Sequence, residues 1–441
     1  MAEAPQPPGA TLPPGDPNAG ASIDPFADLI EPFSRRGVDL GLDRLQAALA
    51  ELGNPERQFQ AVQVAGTNGK GSIATLVHSG LLAAGIRSGL YTSPHLVSWC
   101  ERIRLGAAPI SEAALRRHLL GLQSLGQRHQ LTPFELVTAA AFCAFAEAGC
   151  ELVVLEVGLG GRLDATTCHP DRSVVGFGAI GLDHSDFLGP TEAAIAAEKA
   201  GVIQPGCIAI SAPQSPEVAA VLEHRAEAAG AQWRWVEPLD LEAWAIGIPG
   251  AVQAGNGAVA LGMLQALAER GWSISEAAIR AGLAQARWPG RLQTLPWGGH
   301  TLLLDGAHNL PAAQALRAEL DRRWPAPASP QAEPARAGRH WVLGMLANKD
   351  APKMLETLLA PGDRCWIVPV PDHACWSLAA LQTACPRWSP NLQGASDLDQ
   401  ALHQALASAT QPAPAGAAPR PVVVAGSLYL IGHLLAAVAT E

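Results

Sequence analysis

With 441 residues, nearly half of them apolar, the chain is too long for one ordinary core and has enough apolar side chains for two or three domains. Only 16% of its residues are charged, and 30 lysines and arginines against 40 aspartates and glutamates give a net charge of −10. That balance argues against a nucleic-acid or anionic-membrane surface, since both need clustered basic side chains.

The N-terminal M-A-E-A-P-Q-P-P-G has neither the basic nor the apolar region of a secretory signal, and no uninterrupted apolar run approaches membrane-spanning length. The eight cysteines form no C-x-x-C pair and read as reduced core thiols. The expectation is a soluble, cytoplasmic protein without a zinc or disulfide framework.

Residues 1–22, rich in Pro, Ala and Gly, read as a disordered tail. From Asp24 the pattern turns helical, first with Leu29, Ile30 and Phe33, then, after Gly37, with Leu40, Leu42, Leu45 and Leu49. The next stretch, V-Q-V-A-G-T-N-G-K-G-S from Val62 to Ser72, organises the chain. A short apolar strand (Val62, Val64, Ala65) enters a turn with Gly66, Gly69 and Gly71, and Ser72 opens an amphipathic run to Leu82. A strand, a glycine turn and a helix start, in that order, aim backbone N–H groups at a phosphate. Lys70 can offset phosphate charge, and the Ser72 hydroxyl can ligate Mg²⁺. The pattern G-x-x-x-x-G-K-[ST] would need glycine at Val64, so an ordinary glycine-rich turn is the alternative.

Ser88 to Tyr91 predicts a second strand, ending in T-S-P-H-L, and helices follow over Ser111 to Leu125 and Pro133 to Ala148. The run E-L-V-V-L-E-V-G-L-G-G-R-L-D-A-T (Glu151 to Thr166) is apolar on both faces, as a central parallel strand must be. Ser173 to Ile180 is a further strand with G-L-D-H-S-D at its exit; a helix with Glu192, Glu198 and Lys199 and a strand from Cys207 to Ser211 come next. The alternation implies an α/β fold with a doubly wound parallel sheet. The pattern breaks and restarts between Arg291 and Thr301, predicting a smaller α/β domain with strands at Thr301 to Asp305, His340 to Met345, Cys365 to Val370 and Val422 to Ala425. Pro/Ala-rich stretches at 325–338 and 411–421 read as loop expansions.

In such sheets ligands bind beyond the carboxyl ends of the strands, and Glu156, Asp164, Asp183 and His184 all emerge there. Mg²⁺ takes hard oxygen ligands, which makes Glu156 its candidate carboxylate; the alternative is a solvent-facing strand end. Taken singly, His184 reads as a structural hydrogen-bonder and Lys199 as a solvated helix lysine. D-G-A-H-N (Asp305 to Asn309) reads as a helix cap by Asn309, and Arg291 as a linker residue or a phosphate clamp.

Together with D-L-G-L-D-R, L-T-P-F-E, E-K-A-G, P-G-R, G-M-L-A-N-K-D and G-S-L-Y-L, these motifs run in order over nearly the whole chain from Asp24. The sequence thereby resembles the folylpolyglutamate synthase and dihydrofolate synthase family, within the Mur ligase superfamily of ATP-dependent amide-forming enzymes. The resemblance implies a P-loop-type ATP-binding domain over 23–295, a Rossmann-like domain over 296–441, and a site in the cleft between them. It assigns ATP to Thr67, Asn68, Gly69, Lys70, Gly71, Ser72, Asn256, Arg291 and Asp305. It implies two Mg²⁺ sites, with Ser72, Ser93, Glu156, His184 and a carbamylated Lys199 as ligands. The pterin would lie near Pro32, Phe33, Ser34, Thr132, Pro133, Phe134, Glu135, Leu163, Asp164 and Ala165, and glutamate near His308 and Ser427. Lys70, Lys199 and His308 are the expected catalytic residues.

The sequence departs from the family pattern at Thr167, Asn348, Phe187 and Pro133, the last two on the pterin side. The activity implied is ATP-dependent ligation of L-glutamate to dihydropteroate and to reduced folates through an acyl phosphate, by a monomer. A folylpolyglutamate synthase alone, a cell-wall-precursor ligase and a nucleotide-hydrolysing regulatory module are the alternatives. A nicotinamide oxidoreductase would need G-x-G-x-x-G, a spacing Gly66, Gly69 and Gly71 do not give.

Overall fold

The computed structural model describes residues 24–325, 338–409 and 421–439, so the tail and most of the two Pro/Ala-rich stretches lie outside the described residues. The described chain forms two compact units, one holding residues 24–248 and 252–288, the other 249–251 and the residues from 289 onward.

The first unit is built on an eight-stranded sheet. Its strands are β1 (Gln60–Ala65), β2 (Ser88–Tyr91), β3 (Ile103–Leu105), β4 (Ala108–Pro109), β5 (Leu152–Glu156), β6 (Arg172–Phe177), β7 (Ile208–Ser211) and β8 (Gln232–Trp235), in spatial order β4-β3-β2-β5-β1-β6-β7-β8. All neighbours are parallel except β2–β3 and β3–β4. The central β1 and β5 are covered on both faces, which is why they read as apolar runs, broken in β1 only by the buried Gln63. Val153 and Leu155 enter one core with the helices Glu112–His129 and Pro133–Glu147; Leu152 and Val154 enter another with Lys70–Ala83 and Gln253–Glu269. The register pairs Val64 with Glu156, so the phosphate-type turn and the Glu156 loop leave the sheet side by side.

The helix after β1 departs from its expected form. It starts at Lys70, two residues before Ser72, and ten of its residues from Gly71 to Leu81 are buried, so it is covered on nearly every side instead of being amphipathic. Small residues permit this: a β-carbon on Gly282 would stand 2.4 Å from the Gly80 Cα, so the helix Glu276–Gln285 packs directly on its backbone.

The second unit carries β9 (Gln293–Trp297), β10 (His300–Leu304), β11 (His340–Leu343), β12 (Arg364–Ile367), β13 (Leu392–Gly394) and β14 (Val422–Ala425), in order β13-β12-β11-β14-β10-β9. The sheet is parallel apart from the β9–β10 hairpin, which turns on Gly298 and Gly299, both at positive φ. β9 went unpredicted because Pro296 interrupts a half-exposed run; proline is tolerated there because β9 is an edge strand. All eight cysteines are free thiols, seven buried and Cys143 half-buried. Among the described residues no helix is long and apolar enough to cross a membrane.

Candidate functional site

In the first unit Gly66 (φ 141) opens the turn after β1, where a β-carbon would press at 3.0 Å on the backbone of Gly178. Thr67 and Asn68 donate their N–H groups to the Ala179 carbonyl at 2.9 and 3.0 Å, which ties the start of the turn to the β6 exit. Thr67 Oγ1 donates to the Gly181 carbonyl at 2.9 Å. Gly69 is the N-cap of Lys70–Ala83 in the left-handed region, and no side chain caps that helix. An anion can therefore take the place a capping side chain would hold. Lys70 folds back over the turn, its Nζ donating to the Thr67 carbonyl at 3.1 Å, and Ser72 is buried in the first helical turn. Asn256 Nδ2 donates to Gln253 Oε1 at 3.0 Å, while Oδ1 stands over Gly69.

Beside this turn Glu156, 4% exposed, accepts the Ser93 N–H on Oε2 at 3.1 Å. Lys199, equally buried near the end of the helix Glu192–Ala200, has its ammonium pushed down to about 7. Burial is the main cause, the Lys70 charge adds to it, and Asp183 and Asp164 oppose it. His184 is a half-exposed residue at φ 52 whose ring stands 4.0 Å from the Asp183 carboxylate. Among the described residues no three His, Cys, Asp or Glu side chains gather into a ready-made metal cage. Hard oxygens at Glu156, Ser72 and Ser93 nonetheless suit Mg²⁺, which takes one or two carboxylates and completes its shell with phosphate and water.

The residues assigned to the pterin divide. Asp164 Oδ2 accepts from the Gly158 and Leu159 N–H groups at 3.0 and 2.9 Å, and Oδ1 from the Thr166 N–H and hydroxyl at 3.0 and 2.5 Å. Its carboxylate thus shapes the glycine loop after Glu156, although burial raises its pKa. Thr132 and Glu135 form a reciprocal capping box for Pro133–Glu147, and Arg44 pairs with Glu135 at 3.2 Å. Phe33 is packed into the core near Gly126, whereas Pro32 and Ser34 are exposed. Phe134 and Asp164 both border Gly158, with Leu163 half-buried and Ala165 buried in the same loop.

In the second unit Asp305 Oδ2 accepts the Leu292 N–H at 3.0 Å and Oδ1 the Ala307 N–H at 2.9 Å. Burial raises its pKa and Arg291 opposes this. Arg291 Nη1 donates to the Gly290 carbonyl at 3.1 Å and crowds Gly306. His308 Nδ1 lies 2.8 Å from the Gly306 carbonyl and donates to it, so in the neutral ring Nε2 is the acceptor. Asn309 caps Leu310–Arg323, as read from the sequence. Ser427 is buried and accepts the Tyr429 N–H at 3.1 Å, which makes it a helix cap as well.

Sequence reasoning missed a built loop after β2. His95 Nδ1 accepts from Arg102 Nε at 3.0 Å, and Glu101 accepts the N–H groups of Leu96, Val97 and Ser98, each at 2.8 Å. The adjacency of S-P-H-L and E-R-I-R was its only trace. It missed also the His373–Tyr429 stack, with ring centroids 4.0 Å apart, which joins segments far apart in sequence.

Residues 293–437 match the family described as dihydrofolate synthetase, C-terminal domain. The dihydrofolate synthase/folylpolyglutamate synthase of Escherichia coli is 33% identical, over 95% of this chain and 96% of its own. The folylpolyglutamate synthase of Mycobacterium tuberculosis, solved with ADP and AMPPCP, superposes with a TM-score of 0.81 at 29% identity, covering 90% of this chain and 95% of the other. A bifunctional folylpolyglutamate synthase/dihydrofolate synthase solved with Mn, AMPPNP and L-glutamate gives 0.76 at 29% identity, covering 98% and 100%.

Proposed function

Because the chain belongs to the dihydrofolate synthase/folylpolyglutamate synthase family, we propose that it uses ATP to ligate L-glutamate to dihydropteroate and to reduced folates. The observation that carries this reading is the uncapped helix start at Gly69 beside the buried, Ser93-bonded Glu156, at the carboxyl ends of two paired strands.

The pterin-linked carboxylate attacks the γ-phosphorus of ATP, the bond to the bridging oxygen breaks, and ADP leaves behind an acyl phosphate. The α-amine of glutamate then attacks the acyl carbon, a C–N bond forms, and phosphate departs. Carboxylates are poor electrophiles at neutral pH, which is why activation precedes amide formation. The turn from Thr67 to Ser72, with Asn256, receives the nucleotide, and Lys70 offsets charge on the transferring phosphoryl; Arg291 and Asp305 of the second unit are assigned to the nucleotide by the family resemblance alone. His308 Nε2 takes the proton from the glutamate amine, with Ser427 close to the same substrate. Pro32, Phe33, Ser34, Thr132 to Glu135 and Leu163 to Ala165 bound the pterin, several of them by shaping its loops.

Mg²⁺, when bound, would supply charge neutralisation at the phosphates, held in two sites by Ser72, Ser93, Glu156, His184 and Lys199. A lysine whose amine is largely deprotonated above pH 7 can add to CO₂: an N–C bond forms, a proton leaves, and the carbamate offers an oxygen ligand. Intact-mass measurement in bicarbonate and in CO₂-free buffer tests for that adduct. The same reading divides the chain into an ATP-binding domain at 23–295 and a second domain at 296–441, acting as a cytoplasmic monomer. Sedimentation tests the monomer.

The deciding experiment measures ADP release with MgATP and L-glutamate, alone and with dihydropteroate or tetrahydrofolate. Release requiring glutamate plus either acid supports both activities, and release with one acid narrows the reading to that activity. ADP release indifferent to every acceptor would overturn the proposal in favour of a simple nucleotide hydrolase.

A further inference from the structure

Gln63 is the one polar side chain in the buried run of β1, and it is fully buried. Its side-chain NH₂ donates to Thr166 Oγ1 at 2.8 Å and to Thr167 Oγ1 at 2.9 Å. Both hydroxyls have already committed their protons, Thr166 to Asp164 Oδ1 at 2.5 Å and Thr167 to the Gly161 carbonyl at 2.8 Å. They can only accept from Gln63, so the amide has one permitted orientation.

Two paths leave this amide. Through Thr166 it reaches Asp164, whose other oxygen holds the Gly158 and Leu159 N–H groups just beyond Glu156. Through Thr167 it reaches Gly161, which lies backbone to backbone with the helix carrying Lys199. A β-carbon on Gly161 would stand 2.9 Å from the Glu198 and Lys199 carbonyl oxygens, and the neighbouring Arg162 N–H donates to Glu198 O at 2.8 Å. Gln63 itself lies three residues before Gly66, where the phosphate-type turn begins.

We propose that Gln63 is a positioning residue that, through Thr166 and Thr167, sets Glu156 and Lys199 against the phosphate turn. Thr167 is the joint in the Lys199 branch. The inference rests on the reading above, in which Glu156 and Lys199 serve the bound metal.

The test compares wild type, Thr167→Val, Thr167→Ser, Gln63→Leu and the Thr167→Val/Gln63→Leu double variant. It reads the Mg²⁺ concentration giving half-maximal ADP release with saturating ATP, dihydropteroate and L-glutamate, and urea unfolding of each protein. Partners that orient metal ligands typically matter on the order of ten-fold in metal affinity. Thr167→Val and Gln63→Leu are expected to raise the half-saturating Mg²⁺ by about that factor, the double variant no further than the worse single one, and Thr167→Ser to restore the wild-type value. Unchanged Mg²⁺ dependence accompanied only by lower stability would overturn the proposal, as would a Thr167→Ser protein as impaired as Thr167→Val. If Gln63→Leu does not fold, the two Thr167 variants decide alone. A wild type that releases no ADP under these conditions overturns the functional reading and this inference together. An active wild type matched by its variants overturns this inference only.

Discussion

Asn256 Oδ1 stands 2.4 Å from the point a β-carbon on Gly69 would occupy. Gly69 also sits at φ 84, where a side chain costs roughly 1–2 kcal/mol. Gly69→Ala therefore both strains the turn and pushes Asn256 away from it. About ten-fold weaker binding of an ATP analogue is the expected result, since ~1.4 kcal/mol corresponds to that factor. Calorimetric titration measures it, and wild-type affinity would show that the turn does not meet the nucleotide.

Glu156→Gln keeps an oxygen for the Ser93 N–H and removes only the charge. If that charge holds the metal, turnover should fall by roughly 10- to 100-fold while the unfolding midpoint stays near that of wild type. Equal rates for the two proteins would sink the metal assignment.

Lys199 ties function to pH through stability. Its ordinary pKa of 10.5 applies to the unfolded chain, whereas burial and Lys70 bring the native amine to about 7. Between those values the unfolded state holds the extra proton, so native stability rises with pH across that window. In CO₂-free buffer with chelator, Lys199→Met is expected to be more stable than wild type at pH 7, and wild type to close the gap by about 1 kcal/mol per pH unit toward pH 10. Urea unfolding from pH 7 to 10 checks this; parallel curves would mean that the amine is solvated.

Acid should act through buried histidines. His169 is fully buried, with Nε2 3.0 Å from the Phe59 carbonyl and Nδ1 accepting the Asp171 N–H at 3.2 Å, a pairing that needs the neutral ring. Burial lowers its pKa from 6.5 to about 4, and does the same at His78. As pH falls from 6.5 to 4 the unfolded chain takes up protons that the native state refuses, so stability is lost across that interval. His169→Gln should flatten the decline measured by urea unfolding between pH 7 and 4.5. An unchanged slope would place the acid sensitivity elsewhere.

The central strands were legible because β1 and β5 are covered on both sides, so that β5 spells a run of four apolar residues and β1 an apolar run interrupted only by Gln63. The edge strands β4, β8, β9 and β13, and β3 next to an edge, were not, being short or half-exposed and lacking a period to detect. At the candidate site the glycine turn and Glu156 could be read from local order alone. The burial of Lys199 could not, since its helix reads as an ordinary polar one until Gly161 closes upon it. Nor could the labour of Asp164 and Ser427 be told from ligand binding, because a carboxylate or hydroxyl at a strand exit serves a cap and a substrate equally well. The contact between Gly69 and Asn256 joins residues far apart in the chain, where no short-range pattern can register it.

The thiols supply a readout of their own. Cys100, Cys143, Cys150, Cys168 and Cys207 lie in the first unit and Cys365, Cys375 and Cys385 in the second. Burial pushes Cys143 and Cys150 up to about 11 and Cys168 up to about 12, far from the thiolate that alkylating reagents require. A brief pulse of such a reagent along a denaturant series would leave the native chain almost unmarked and count the opened thiols by added mass. Peptide mapping of those marks would then tell whether the two units melt together or in turn, with the native cysteines as the only reporters.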